Sequence, residues 1–203
     1  MAYVLGFFIA DGNMIQNNRG ACFISFTITD EQLLRNIRKT FQSDHKISIR
    51  KKNVRWKTSY TLQIGSREMF ADLRGLGLDA RKSDRIKLPE VPRKYISAFV
   101  RGYFDGDGHV CISVYRRKAR KNKLTKVILS GFTSANKNFL IDLHRLLRMH
   151  ADIRGGSLFY SKGHRLTFSG KDTLALYRFL YKDVPTGLYL PRKKRVFEEY
   201  LRA

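Results

Sequence analysis

The chain opens on an unbroken apolar run, Tyr3-Val4-Leu5-Gly6-Phe7-Phe8-Ile9-Ala10, which stops at Asp11-Gly12. A segment apolar on every side predicts a buried helix over residues 2–11. The period then changes. Residues 21–29 alternate like a strand, and Asp30 stands where an N-cap precedes Leu33, Leu34, Ile37 and Phe41 at helical spacing. Residues 45–51 and 58–65 read as a hairpin around Asn53, and Ser66 caps a short helix reaching Arg74. Beyond it the pattern predicts a helix over 95–106, strands near 109–116 and 124–133, and a helix over 136–149. A hairpin over 153–168 turning at Lys162-Gly163 follows, then helices over 170–181 and 191–202. The expected class is α+β, with eight strands divided between two halves.

The halves repeat each other. Tyr3-Val4-Leu5-Gly6-Phe7-Phe8-Ile9-Ala10-Asp11-Gly12 returns as Phe99-Val100-Arg101-Gly102-Tyr103-Phe104-Asp105-Gly106-Asp107-Gly108, 96 positions later. Phe26-Thr27 matches Phe132-Thr133, the segment from Ile64 to Leu76 matches Phe168 to Leu180, and Arg81-Lys82 matches Arg192-Lys193. Four matches in one order predict a structural duplication. The expected halves are 1–88 and 95–203, with a proline-containing joint at 89–94.

Within the repeated helices, Ala2, Gly6 and Ala10 fall at i, i+4, i+8, as do Ala98, Gly102 and Gly106. Each set forms a bare ridge, and facing ridges let two backbones approach closely. Each helix then ends in Asp-Gly, for which a C-terminal glycine stop is the simplest reading. A lone Asp-Gly is usually only a turn. Two aspartates at two already negative helix ends repel each other, and a divalent cation relieves that repulsion. Few protein ligands and oxygen donors suit Mg²⁺, which keeps waters and takes phosphate oxygens. A calcium loop at Asp105-Gly106-Asp107-Gly108 lacks its downstream glutamate.

Charge narrows the partner. Forty Lys and Arg against 17 Asp and Glu leave a net +23, which strains a compact state unless a polyanion neutralises it. Nucleic acid is the leading partner; a ribosomal protein or a binder of anionic membranes is the alternative. Cys22 and Cys111 have neither metal-ligand nor disulfide-framework spacing and read as buried thiols in a reducing compartment. No apolar run reaches a membrane span, and no basic region precedes the first apolar stretch, so an intracellular protein is expected.

The two Asp-Gly helices, their ridges and the paired Arg-Lys segments resemble the LAGLIDADG homing endonucleases in their monomeric two-motif form, over nearly the whole chain. The resemblance implies two pseudo-symmetric αββαββα repeats, with the signature helices paired at the interface and a curved DNA-binding sheet in each half. It implies a monomer that cuts both strands of a long duplex target with Mg²⁺, leaving 3′ overhangs. Mn²⁺ is expected to substitute, and Ca²⁺ to support binding without cleavage. The metal ligands carry over to Asp11 and Asp107, with the backbone carbonyls of Ala10 and Gly106 beside them. Lys82 and Lys193 carry over as active-site lysines that polarise water or stabilise the phosphorane. The first copy departs from the pattern in having Ile9 where the second has Asp105. Asp30 and Asn136 are read first as N-caps and second as positioners of a water.

DNA-reading residues are sought on strand faces turned away from the helices, at period two. The candidates are Arg19, Ser25, Thr27, Arg50, Lys52, Arg55 and Lys57, with Arg116, Arg117, Arg120, Lys126, Ser130, Tyr160, Lys162 and Arg165. Most are expected on phosphates rather than bases. His109 reads as a strand-start histidine, and Trp56 as a shaper of the hairpin tip. Two further readings share the scaffold: a maturase that binds intron RNA, and a DNA-binding regulator that does not cut. The origin is either intron-encoded or intein-derived. The charge generates a test: duplex affinity, followed by fluorescence anisotropy, should fall about a thousandfold or more between about 50 and 200 mM salt.

Overall fold

A computed structural model describes residues 1–51, 57–79, 86–117, 123–182, 184 and 187–202. The chain divides into two compact units, residues 1–106 with 184–190, and residues 107–183 with 191–203. These are not the sequence repeats. The helix that opens the second repeat packs in the first unit, and so does the later segment 184–190.

In the first unit, helix α1 (Ala2–Asp11) runs without a loop into β1 (Gly12–Gln16). There follow β2 (Cys22–Ile28), α2 (Glu31–Thr40), β3 (Ile47–Arg50), β4 (Ser59–Gly65), α3 (Arg67–Gly75) and α4 (Ile96–Asp107). The antiparallel sheet has the order β1-β2-β4-β3. Its inner face carries Met14, Ile24, Phe26, Leu62 and Ile64, all buried, against Leu33, Leu34 and Ile37 of α2. Phe8 meets Phe26 edge-on at 5.4 Å, an arrangement favoured by the ring quadrupoles. Strand β1 completes the eight strands expected, at a place the pattern does not mark: five residues directly after a helix are too short for a periodic signal.

The second unit repeats the plan with β5 (Gly108–Arg117), β6 (Lys123–Ser134), α5 (Lys137–His150), β7 (Ser157–Tyr160), β8 (His164–Ser169) and α6 (Lys171–Tyr181), then α7 (Pro191–Leu201). Sheet order is β5-β6-β8-β7, matching the first. Ile128, Phe132, Leu166 and Phe168 face Leu143, Leu147 and Leu176 in a fully buried core. Phe197 of α7 stacks on Tyr177 of α6 at 5.1 Å. The β7–β8 turn falls where expected, with Lys162 and Gly163 both at positive φ. Cys111 corrects the expectation of a buried thiol: it is exposed, because it alternates onto the open side of β5.

The ridge of small residues fixes how α1 meets α4 inside the first unit. A Cβ on Gly6 would overlap the Phe99 carbonyl and reach within 2.9 Å of the Tyr103 amide nitrogen. Reciprocally, one on Gly102 would overlap the Tyr3 carbonyl and reach within 2.8 Å of the Phe7 nitrogen. Each glycine therefore seats the other helix's backbone, as small residues do at close helix crossings. Gly12 has a different reason from the one expected. Its φ of −77° and ψ of 158° are extended, so it is no left-handed cap. A side chain there would instead run into the ring of Phe8.

Gly6→Ala and Gly102→Ala should each destabilise the protein by about 2–3 kcal/mol, because neither backbone can yield without separating the helices. Gly75→Ala, where a Cβ meets nothing within 4 Å, should be neutral or stabilising by about 0.5 kcal/mol. Urea unfolding of the three variants separates these outcomes.

Candidate metal and nucleic-acid site

The crossing brings the C-terminal end of α1 against the last turn of α4. A Cβ on Gly106 would overlap the Ala10 methyl and lie 3.2 Å from Asp11 Oδ2. Asp11 is exposed. Asp107, the next residue after Gly106, is the last of α4 and is half-buried. Ala10 and Gly106 sit in final helical turns, where carbonyls have no later amide within the helix to accept from. The donor set at these ends is therefore carboxylate and carbonyl oxygen only. That chemistry fits a hard divalent ion such as Mg²⁺ and does not fit zinc. Among the described residues no group of three or more His, Cys, Asp or Glu competes for it.

Asp105 has a different task. It is 2% exposed, and its Oδ2 accepts from the Tyr3 hydroxyl at 2.8 Å and from the Leu190 amide at 2.9 Å. Its counterpart Ile9 is buried, and the counterpart of Tyr3 is Phe99. The first copy's departure at position 9 is thus matched by loss of the hydroxyl at position 99. Arg101, 1% exposed, lies with its guanidinium 5.6 Å from the Tyr3 ring centre and donates from Nε to the Leu188 carbonyl at 3.0 Å. Asn36 adds a bond to the Gly187 carbonyl at 2.7 Å. Residues 187–190 are thereby tied to the first unit through their backbone. Sequence reading missed this strap, since backbone partners leave no side-chain signature; the buried charges at 101 and 105 were the only available hint.

In the second unit, Lys193 lies only 6% exposed on α7, and its Nζ donates to the carbonyl of Gly108 at 2.6 Å. The expected lysine thus stands beside the residue that follows Asp107. His109 starts β5 next to it. Burial pushes its imidazole below the ordinary histidine value, and the cations Arg165 and then Lys193 push the same way. Its partner position on β6 is Gly131, where a Cβ would come within 2.8 Å of the His109 ring. Lys82, with Arg81, lies outside the described residues, as do Lys52, Arg55, Trp56 and Arg120.

The registers sort the remaining candidates. On the first sheet Ser25 pairs with Asn13 and Gln63, Thr27 with Thr61, and Arg50 with Ser59, so all lie on the face opposite the helices. The Thr27 and Thr61 hydroxyls bond at 3.0 Å. Asn13, Ser48, Thr61 and Gln63 share that face and were missed, because a search for cations passes over neutral polar groups. Arg19 and Lys57 are exposed beside the strands. On the second sheet Arg165 pairs with Thr133 on the open face, and Arg117 ends β5 in register with Lys123. Tyr160 and Lys162 are exposed at the β7–β8 turn.

Ser130 is a correction. It is fully buried on the helix side of β6, where its hydroxyl donates to Thr173 at 3.1 Å. The alternation had been taken in the wrong phase, which only pairing settles. Lys126 and Arg116 fall on that same side by register. Lys126 Nζ stands 6.0 Å from the Tyr200 ring of α7. Asp30 and Asn136 cap α2 and α5, accepting from Leu33 at 2.9 Å and from Asn138 and Phe139 at 2.8 and 3.2 Å.

Two sheets of one strand order, each entered directly from a helix ending in aspartate, define a duplicated αββαββα architecture. The chain belongs to the LAGLIDADG-like domain family, whose model matches residues 1–75 and 94–177. The I-LtrWI LAGLIDADG homing endonuclease bound to target DNA has the same fold, with a TM-score of 0.62 at 13% identity over 99% of this chain and 88% of that one. The meganuclease I-SmaMI bound to uncleaveable DNA gives 0.65 at 12% identity, over 99% and 87%. I-SmaMI with uncleaved DNA and calcium gives 0.58 at 15%, over 92% and 86%. By sequence, a probable translation initiation factor IF-2 of Thermococcus kodakarensis is 33% identical over 135 residues, which are 63% of this chain and 10% of that protein. A replication factor C small subunit of Methanocaldococcus jannaschii is 30% identical over 112 residues, 54% of this chain and 6% of that protein. The chain thus spans about a tenth or less of these curated relatives.

Asp105→Ala would strand the Tyr3 hydroxyl and the Leu190 amide in the interior. It should destabilise the protein by about 2–4 kcal/mol, whereas Asp30→Ala, an exposed-end cap, should cost about 1 kcal/mol. Thermal and urea unfolding read the difference.

Proposed function

We propose that the chain is a site-specific endonuclease that hydrolyses both strands of a long DNA duplex, with a divalent metal, leaving 3′ overhangs. The observation that carries the reading is the pair of helix ends: each repeat keeps an aspartate at the last helical residue, and the small-residue crossing sets Asp11 beside Gly106. Aspartate at a helix C-terminus opposes the helix dipole, a cost that a bound cation would offset. Its retention twice is supported by a chemical role.

Asp11 and Asp107, with the carbonyls of Ala10 and Gly106, would hold Mg²⁺, with Mn²⁺ able to replace it. When bound, the ion lowers the pKa of a water and screens charge on the phosphate. Lys193, held on the Gly108 carbonyl, supplies a positive charge for the phosphate in the second half, and Lys82 is assigned the same task in the first. The open sheet faces, with Asn13, Thr27, Gln63 and Arg50 in one unit and Arg165 in the other, supply groups for base edges and phosphates, whereas Ser25 is buried on that face and takes no part. Neighbours of this fold bound to DNA support duplex DNA as the partner, and both repeats in one chain support a monomer.

The curated relatives bear on origin. A translation factor and a replication factor share no activity by name, yet each matches this chain over a small part of its length. A segment common to unrelated hosts behaves as a mobile insert, which favours an intein-derived or intron-encoded unit.

The test is cleavage of a randomised duplex library with Mg²⁺, comparing the natural chain with Asp11→Asn and Asp107→Asn. Enriched cut sites should appear, and their cleavage should fall by more than about a hundredfold in each variant while binding in Ca²⁺ persists. Tight binding without cutting in Mg²⁺ or Mn²⁺ would instead favour a DNA-binding regulator or a maturase, separated by binding to intron RNA.

A further inference from the structure

The end of α4 and the start of α7 are joined by two hydrogen bonds, each between residues 85 positions apart. The Leu190 amide donates to Asp105 Oδ2 at 2.9 Å, and Lys193 Nζ donates to the Gly108 carbonyl at 2.6 Å. The chain from Asp105 to Gly108 and the chain from Leu190 to Lys193 close these bonds into one ring. Asp107 and Lys193 are both members of it. The carboxylate and the ammonium given roles above are therefore tied together through backbone and two hydrogen bonds.

Lysine carries its charge on a flexible four-carbon stem, so the ammonium is only as well placed as the backbone beneath it. That backbone is the first turn of α7, which begins at Pro191. Proline has no amide hydrogen, so the Leu190 amide is the backbone donor that leads into the helix. Its acceptor is Asp105, 2% exposed, whose Oδ2 also takes the Tyr3 hydroxyl at 2.8 Å. The aromatic contact of α7 comes later, where Phe197 stacks on Tyr177 at 5.1 Å, a full turn beyond Lys193. The first repeat has Ile9 in place of Asp105 and offers no carboxylate there.

We propose that Asp105 is a positioning residue for Lys193. By holding the Leu190 amide it fixes the first turn of α7, and with it the place of the Lys193 ammonium at the Gly108 carbonyl, one residue from Asp107. A charge held to a fixed place is worth far more to a reaction than one that wanders by an ångström. The inference rests on the nuclease reading above and adds to it a residue that acts through the lysine while touching neither metal nor DNA. The hydrogen bond is what counts, not the negative charge of the carboxylate.

The experiment uses the full chain and the double variant Tyr3→Phe/Asp105→Ile, which copies the apolar pair at Phe99 and Ile9 and so spares the packing. Acetic anhydride should modify Lys193 about tenfold faster in the variant, read by mass spectrometry, because the first turn of α7 opens more often. Single-turnover cleavage of a library-selected duplex in Mg²⁺ should slow about tenfold or more, while duplex affinity in Ca²⁺ stays within about threefold. Added to Lys193→Ala, the same pair of changes should slow cleavage by less than about twofold, since a residue that acts through the lysine has nothing left to act on. Asp105→Asn keeps an oxygen for the Leu190 amide and should stay within about threefold of the natural rate. Unchanged labelling of Lys193 overturns the inference. So does a pair that slows the Lys193→Ala chain as much as the natural one, which marks a merely structural role, or an Asp105→Asn variant as slow as the pair. If the natural chain cuts nothing in Mg²⁺ or Mn²⁺, the nuclease reading falls, and the labelling alone decides whether Asp105 places Lys193.

Discussion

Two glycines, Gly6 and Gly102, each occupied by the backbone of the opposite helix, are the constraint from which the rest of the molecule follows. Backbone against backbone is the closest approach two helices can make, and no side chain larger than hydrogen permits it. The contact is reciprocal, so it sets the depth and the axial register of α1 against α4 at once. Because α1 passes directly into β1, that register also fixes where the first unit's sheet begins. The Asp11 carboxylate inherits its placement from a contact more than a turn away, in which it takes no part.

Much of this was legible in the sequence because it is written in side chains at a fixed period. The apolar run that ends in Asp-Gly, its return 96 positions later, and the small residues at i, i+4, i+8 are local facts about helices, and the helices are where they were expected. Lys193 was singled out by its place in the repeat, and the structure puts its Nζ on the Gly108 carbonyl. What escaped was decided by pairing. Ser130 lies in an alternating run whose phase is set by its partners on β5 and β8, and alternation alone does not say which phase is inward. Strand β1 is held by its ladder to β2 rather than by its composition. Asn13, Thr61 and Gln63 gain their position from the register, and nothing in their own neighbourhoods in the chain announces it.

The duplication preserves the frame and lets the chemistry drift. Strand order is the same in both halves, and so is the helix-to-strand junction. Substitutions come in compensated sets: an acid at 105 is answered by a hydroxyl at 3, while apolar groups stand at both 9 and 99. A buried carboxylate without such partners would be costly, so the two changes are physically coupled. The open faces differ as well, with Asn13 and Thr61 in the first half at the register positions that His109 and Arg165 take in the second.

The strap at 184–190 has a consequence for how the protein is made. Asp105 and Arg101 wait for partners 85 and 87 residues further along the chain. The amino-terminal unit emerges from the ribosome first, but its last buried groups are satisfied only after nearly all the second unit has been synthesised. Unlike a string of beads that fold in order, this chain must keep an unfinished first body in solution while the second is translated. Loop closure over that span is slow compared with local pairing. A nascent chain halted at the end of α6 would carry a complete second sheet and an incomplete first unit; the strap then completes the first unit, and α7 completes the second.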